Sequence, residues 1–201
     1  GPKQAQAIRK ERAKKEFSSF QDFCTRVKID RKLLAKLVLV GCFDSLAEKK
    51  EKLFSHLSFQ PPENGTYLPS RSLHEKIALE MSILGFSLSA HPITLFRNVF
   101  EEHERVKSSE LAHFCEHEKV KVAGVKVILH TPPTKSGKRV IFVTMEDEDG
   151  LIDTVIFPAV QESYAKVIYE ADFLLLEGHI KKYGRATSIV VEKAYDLQEM
   201  L

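Results

Sequence analysis

The last third of the chain, Lys119 to Tyr195, carries five strand-like runs with one helical run set after the third, an order that few small folds accommodate. In VKVAGVKVILH (Val120 to His130) small and apolar positions alternate with Lys119, Lys121 and Lys126, the period of two that marks a strand. TPPTKSGKR (Thr131 to Arg139) follows, where two prolines deny ladder hydrogen bonds and Lys135, Lys138 and Arg139 fall within five residues. A positive loop is expected there. VIFVTMEDEDGLIDTVIFP supplies two strands, Val140 to Met145 and Leu151 to Phe157, joined through Asp149-Gly150. Gly150 is expected to take a positive φ and pin the register of that hairpin, with the acids Glu146 to Asp149 facing solvent. Val160, Tyr164, Val167 and Ile168 recur at helical spacing behind Pro158, whose missing N–H costs nothing at a helix start. FLLLEGHI and TSIVVEKAYDL add two more strands, connected by KKYGRA (Lys181 to Ala186), a second positive loop.

Strand, strand, strand, helix, strand, strand is the order of the oligonucleotide-binding barrel, and the expected fold class is α+β. The expected division is a helical helix-hairpin-helix segment over 1–58, a linker and helical connector over 59–117, and a five-stranded OB-fold barrel over 118–201. The linker is placed at FQPPENGTYLPS (Phe59 to Ser70), rich in Pro, Gly, Asn and Ser. Upstream, Ser18 or Ser19 is a helix cap before Phe20, Phe23 and Val27. Asp30 caps RKLLAKLVLV, Gly41 stops it, and Phe43 and Leu46 fold back onto it. After the linker the pattern predicts a helix from about Ser72 to Leu84, a turn at Gly85 and a second helix started by Pro92, with His91 a capping or packing residue.

Charge is uneven although the net is only +2. Residues 1–60 carry 14 Lys/Arg against 7 Asp/Glu, whereas 118–201 carry 11 against 13. The basic balance therefore sits in the helical segment, and Lys3, Lys10, Lys14, Lys28, Arg31 and Lys32 are the candidate phosphate contacts there. The start G-x-K-x-A-x-x-I reads either as a protease scar before a helix or as the turn and second helix of a helix-hairpin-helix, presenting backbone N–H groups and Lys3 to a phosphate. In the barrel the candidates for binding a strand are Lys119, Lys121, Lys126, Lys135, Lys138, Arg139, Lys181, Lys182 and Arg185. Tyr183 and, after it, Phe142 are the candidates for stacking on bases, although a barrel interior needs large residues and Phe142 reads more readily as one of them. Three scattered cysteines without a CxxC pair argue against a zinc ribbon or a disulfide framework. His113, Cys115 and His117 do not make a metal site by spacing. No apolar run approaches the roughly 20 residues of a membrane span, so no membrane contact and a cytoplasmic location are expected.

FSSFQDFCTRV, LVLVGCFDSL, EMSILGFSLSAHPI and KVAGVKVILHTPPTKSGKRVIFVTMEDEDGLIDTVIFP, in that order, resemble the C-terminal part of the bacterial C-family DNA polymerases. That family comprises the replicative polymerase III alpha subunit and its error-prone relatives, and GFSLSAHP and the V-x-F-P ending the third strand look closer to the error-prone branch. The resemblance implies a tandem helix-hairpin-helix that grips duplex DNA and a barrel near single-stranded template. The aspartates that hold two Mg2+ ions in that family lie upstream of this region, so it implies no cofactor and no polymerase chemistry for this stretch, only for the parent DNA-directed DNA polymerase. Implied partners are single-stranded and primer-template DNA, with a sliding clamp or accessory mutagenesis proteins besides. KLFSHL and the terminal QEML are only faint echoes of a clamp motif. Two other functions fit the same residues: a protein-interaction module docking accessory factors, and an anticodon-type RNA-binding barrel.

Overall fold

A computed structural model of the protein describes residues 2–46, 72–132, 139–184 and 186–201. The linker Phe59 to Ser70, the KLFSHL stretch and three nominated cations, Lys135, Lys138 and Arg185, lie outside the described residues. The chain divides into two compact units, Gly1–Ser89 and Ala90–Leu201. The break falls inside the stretch read as a connector.

The first unit opens with α1 (Pro2–Lys14), α2 (Phe20–Arg26) and α3 (Arg31–Leu39). Ser19 Oγ accepts from the Asp22 amide at 3.1 Å and Asp30 Oδ2 from the Lys32 amide at 2.9 Å, so both expected caps form. Gly41, at φ +80°, ends α3: its N–H donates to Val38 O and that of Cys42 to Leu37 O. The chain then turns Phe43 back onto Phe20 and Phe23, with ring centroids 4.9 Å from each. Leu34, Ala35 and Val38 complete this core. α1 buries no residue fully, and Arg26 holds it instead. The Arg26 guanidinium donates to the carbonyls of Glu11, Lys15 and Glu16 at the end of α1, pairs with Asp22 at 3.0 Å and lies over the Phe17 ring.

α4 (Leu73–Leu84) has a reciprocal capping box, Ser72 with Glu75, and stops at Gly85, φ +82°. GFSLS then wraps around one side chain. Glu80, 5% exposed, accepts from Ser87 Oγ, the Leu88 and Ser89 amides and Ser89 Oγ, at 2.6 to 2.9 Å.

In the second unit, His91 Nδ1 accepts from the Ile93 amide and starts a 3-10 turn, Pro92–Phe96, that leads into α5 (Arg97–Glu102). The expected Pro-started helix is thus a 3-10 turn followed by a short α-helix. The barrel is closed in the order β1-β2-β3-β5-β4, from β1 (Lys119–His130), β2 (Ile141–Glu146), β3 (Leu151–Ile156), β4 (Phe173–Tyr183) and β5 (Ala186–Asp196), with α6 (Pro158–Glu170) between β3 and β4. Val122, Ile141, Val143, Met145, Ile152, Ile156, Leu174, Leu176 and Ile189 fill its interior. Ile93, Phe96 and Val99 pack on the outer side of β1 and β4 against Ala123 and Leu175. Close approach of strands requires glycine twice. A Cβ on Gly178 would lie 2.2 Å from Val190 O, where β4 and β5 shift register, and one on Gly124 would lie 2.8 Å from Met145 Cβ.

The β2–β3 turn differs from expectation. Gly150 is not among the positive-φ residues, and the acids are not simply solvent-facing. Asp147 is 2% exposed and organises the turn itself: its Oδ1 accepts the amides of Asp149 and Gly150, each at 2.9 Å. The segment before the barrel seals it, with the Ser108 amide and hydroxyl donating to Asp147 at 2.7 and 2.6 Å. Arg105 reaches Glu148 at 2.7 Å and Lys107 reaches Asp149 at 3.4 Å.

Candidate nucleic-acid interface

In the helical unit Lys3, Lys10 and Lys14 are exposed along α1, and Lys28, Arg31 and Lys32 are exposed at the α2–α3 hairpin. Lys14 pairs with Glu11 at 2.6 Å. The first amides of α3 are taken by the unit's own Asp30, so phosphate contact at this hairpin falls to side chains rather than to the helix terminus. Gly1, read either as a protease scar or as the glycine of a phosphate-facing turn, lies outside the described residues.

On the barrel, the nominated lysines have internal partners. Lys119 pairs with Glu192 at 3.4 Å; Lys121 and Lys193 share Glu177 at 3.4 and 3.3 Å. They border a cleft of about 710 Å³ whose walls carry both signs of charge. Lys126, beside a bulge in β1, donates to Ile168 O and Tyr169 O at 3.1 and 2.8 Å and so caps the C-terminus of α6. Lys181 and Lys182 are not in a loop. The β4–β5 ladder runs through Lys181↔Ser188, Lys182↔Thr187 and Tyr183↔Ala186, and Gly184, φ +61°, follows Tyr183 at the end of β4. Lys181 pairs with Glu116 at 2.7 Å, and the carboxylate's hydrogen bond and charge hold the ammonium pKa above its usual value. Lys182 reaches Ala112 O at 3.4 Å. Tyr183 is 66% exposed at the tip.

Phe142 lies outside the core. Ile141, Val143 and Met145 point inward along β2, and Phe142, Thr144 and Glu146 point outward, as do Leu151, Asp153 and Val155 along β3. Strand pairing sets these in rows: His130, Phe142, Val155 and Val190; Ile128, Thr144 and Asp153; Glu146 and Leu151. His130, absent from the sequence candidates, stacks on Phe142 with centroids 5.3 Å apart and planes at 24°. Its only sequence signal was its place at the end of β1, just before the positive loop. Arg139 is exposed at the other end of that loop, and its carbonyl accepts from Gln161 Nε2 at 2.9 Å, which ties the loop base to α6. The arrangement is a small sheet face with a ring pair toward one end, Asp153 and Glu146 toward the other, and exposed Arg139 two residues before β2, a surface on which bases can stack.

Among the described residues no group of three His, Cys, Asp or Glu side chains converges on a metal position, and no helix is long and apolar enough to cross a membrane. The acids of the β2–β3 turn are held by Arg105, Lys107 and serines, so the residues present do not fit the two-magnesium site of polymerase chemistry.

Residues 1–53 match the helix-hairpin-helix motif and residues 120–197 match the OB-fold nucleic acid binding domain. The error-prone DNA polymerase of Anaeromyxobacter sp. (strain K) is 26% identical over 204 residues, 96% of this chain and 18% of that protein. That of Pseudomonas fluorescens (strain Pf0-1) is 29% identical over 210 residues, 98% of this chain and 20% of that protein. The chain thus spans about a fifth of the length of the curated relatives it matches. Among solved structures, asparaginyl-tRNA synthetase from Pyrococcus horikoshii aligns at 25% identity and TM-score 0.38, over 46% of this chain and 22% of that one. The single-stranded DNA-binding domain of a Synechococcus protein aligns at 14% identity and TM-score 0.35, over 41% of this chain and 99% of that one.

Proposed function

We propose that the chain is a non-catalytic DNA-binding portion, C-terminal in its parent, of an error-prone polymerase of the C family. In this reading residues 1–58 grip duplex DNA, 59–117 connect, and the barrel of 118–201 holds single-stranded template. The observation that carries the reading is the pairing of two surfaces with different chemistry. One is a helical segment with exposed cations and a local net charge of +7; the other is a sheet face where His130 and Phe142 stack, followed in sequence by Lys135, Lys138 and Arg139. Duplex DNA asks for the first and unpaired bases for the second.

The duplex half is tested with the full chain. Lys3, Lys10 and Lys28 make no described ion pair, and replacing all three by alanine is expected to weaken binding to a DNA hairpin roughly tenfold or more at low salt. The slope of log K against log salt should flatten by about one for each phosphate no longer neutralised. An unchanged slope contradicts the assignment. Ile128 and Leu151, 55% and 63% exposed on the same face as Glu146 and Asp153, support a second reading in which the barrel docks a protein. In that case neutralising the loop cations leaves partner binding intact.

A further inference from the structure

The outward face of β2 and β3 is poorly suited to phosphates. Its rows hold His130, Phe142 and Val155, then Ile128, Thr144 and Asp153, then Glu146 and Leu151, with no lysine or arginine in them. A phosphodiester laid on this face would meet two carboxylates, whereas a base would meet rings and aliphatic carbon. A strand crossing it is therefore turned with its bases toward the sheet.

Asp153 is the polar group such a base encounters. It stands directly across the ladder from Thr144, whose hydroxyl donates to Asp153 Oδ1 at 2.7 Å. That bond fixes the carboxylate, and its second oxygen has no partner among the described residues. Phe142 pairs with Val155 and Thr144 with Asp153, so Asp153 is the diagonal cross-strand neighbour of the ring, about 7–8 Å away. This is about the reach of a base centred over the ring plus one hydrogen bond.

We propose that Asp153, oriented by Thr144, reads the edge of a base stacked on the Phe142–His130 pair and selects bases that carry an exocyclic amine, cytosine over thymine. The proposal rests on the strand-binding reading above. An ionised carboxylate only accepts hydrogen bonds, so it takes the N4 amine of cytosine and is repelled by O4 of thymine. Both are single-ring bases and stack with similar area, so their comparison isolates the edge.

The test is competition anisotropy at neutral pH and low salt, with the full chain and oligo-dC or oligo-dT of about 15 nucleotides. The wild type is expected to bind oligo-dC at least about fivefold more tightly. Asp153→Asn retains the acceptor for Thr144 and adds a donor, so it should bring the two within about twofold, mainly by raising affinity for oligo-dT. Equal wild-type affinities, or a ratio unchanged in D153N, overturn base reading while leaving strand binding standing. No binding to either oligonucleotide overturns both.

Discussion

Replacing Asp147 by alanine is expected to destabilise the barrel unit by about 3–5 kcal/mol, a large share of the stability of a domain this size. The carboxylate is buried and receives four hydrogen bonds: two from Ser108 and one each from the Asp149 and Gly150 amides. Without it those donors lose their acceptor, and the Arg105 guanidinium loses a second carboxylate. Arg105 is 8% exposed, lies over the Phe100 ring, and its Nη1 makes no hydrogen bond; Asp147 Oδ2, 3.8 Å away, is its nearby counter-charge. Arg105 keeps Glu148, so the larger cost is that of leaving the Ser108, Asp149 and Gly150 donors without their acceptor. Burial pushes the Asp147 carboxyl pKa up, but the donated hydrogen bonds outweigh it and hold the pKa below the ordinary aspartate range. Its stabilisation is therefore complete above that range and is lost as pH falls through the lowered folded-state pKa. Amide exchange in β2 and β3 over a urea series reads the effect. A loss under about 1 kcal/mol would mean that the turn is held by its backbone alone.

Glu80→Ala should act in the same way on the helical unit. Burial opposes ionisation of Glu80, and the bonds from Ser89, Leu88 and Ser87 outweigh it, lowering the carboxyl to about 2. GFSLS has no regular secondary structure after Gly85, so this one carboxylate collects its backbone donors. Loss of four bonds to a charged acceptor is expected to cost about 3 kcal/mol and to speed exchange at the Leu88 and Ser89 amides. The wild-type contribution should be complete above about pH 5 and fade as pH falls toward 2, since the folded pKa is depressed from the ordinary 4.5. Exchange at Leu88 and Ser89 that is indifferent both to the substitution and to acid would rule out this role.

The strand order of the barrel was legible because period-two patterning and Pro158 punctuate it, and the caps at Ser19 and Asp30 because capping chemistry is local. What sequence reasoning missed depends on partners distant in sequence. Asp149-Gly150 looks like a positive-φ hairpin, but Asp147 and Ser108, 39 residues apart, build the turn. Lys126 looks like one more cation along β1, and a bulge aims it at a helix terminus 42 residues on. Lys181 and Lys182 resemble a loop because a hairpin tip is polar, yet ladder bonds extend the strands around them. Phe142 reads more readily as core, yet it faces outward, because period two fixes alternation and not which face is inside.

In the proposed reading the barrel holds unpaired DNA through Lys135, Lys138 and Arg139, which follow His130 in sequence, and the His130–Phe142 stack. The most direct measurement is anisotropy of labelled single-stranded DNA with the full chain over a range of salt, for the wild type and for the variant with those three residues reversed to glutamate. Wild-type log K is expected to fall with log salt at about −0.7 per phosphate neutralised, and the variant to lose roughly a hundredfold or more in affinity. Wild-type binding that the variant retains, or no wild-type binding at low salt, would contradict that reading.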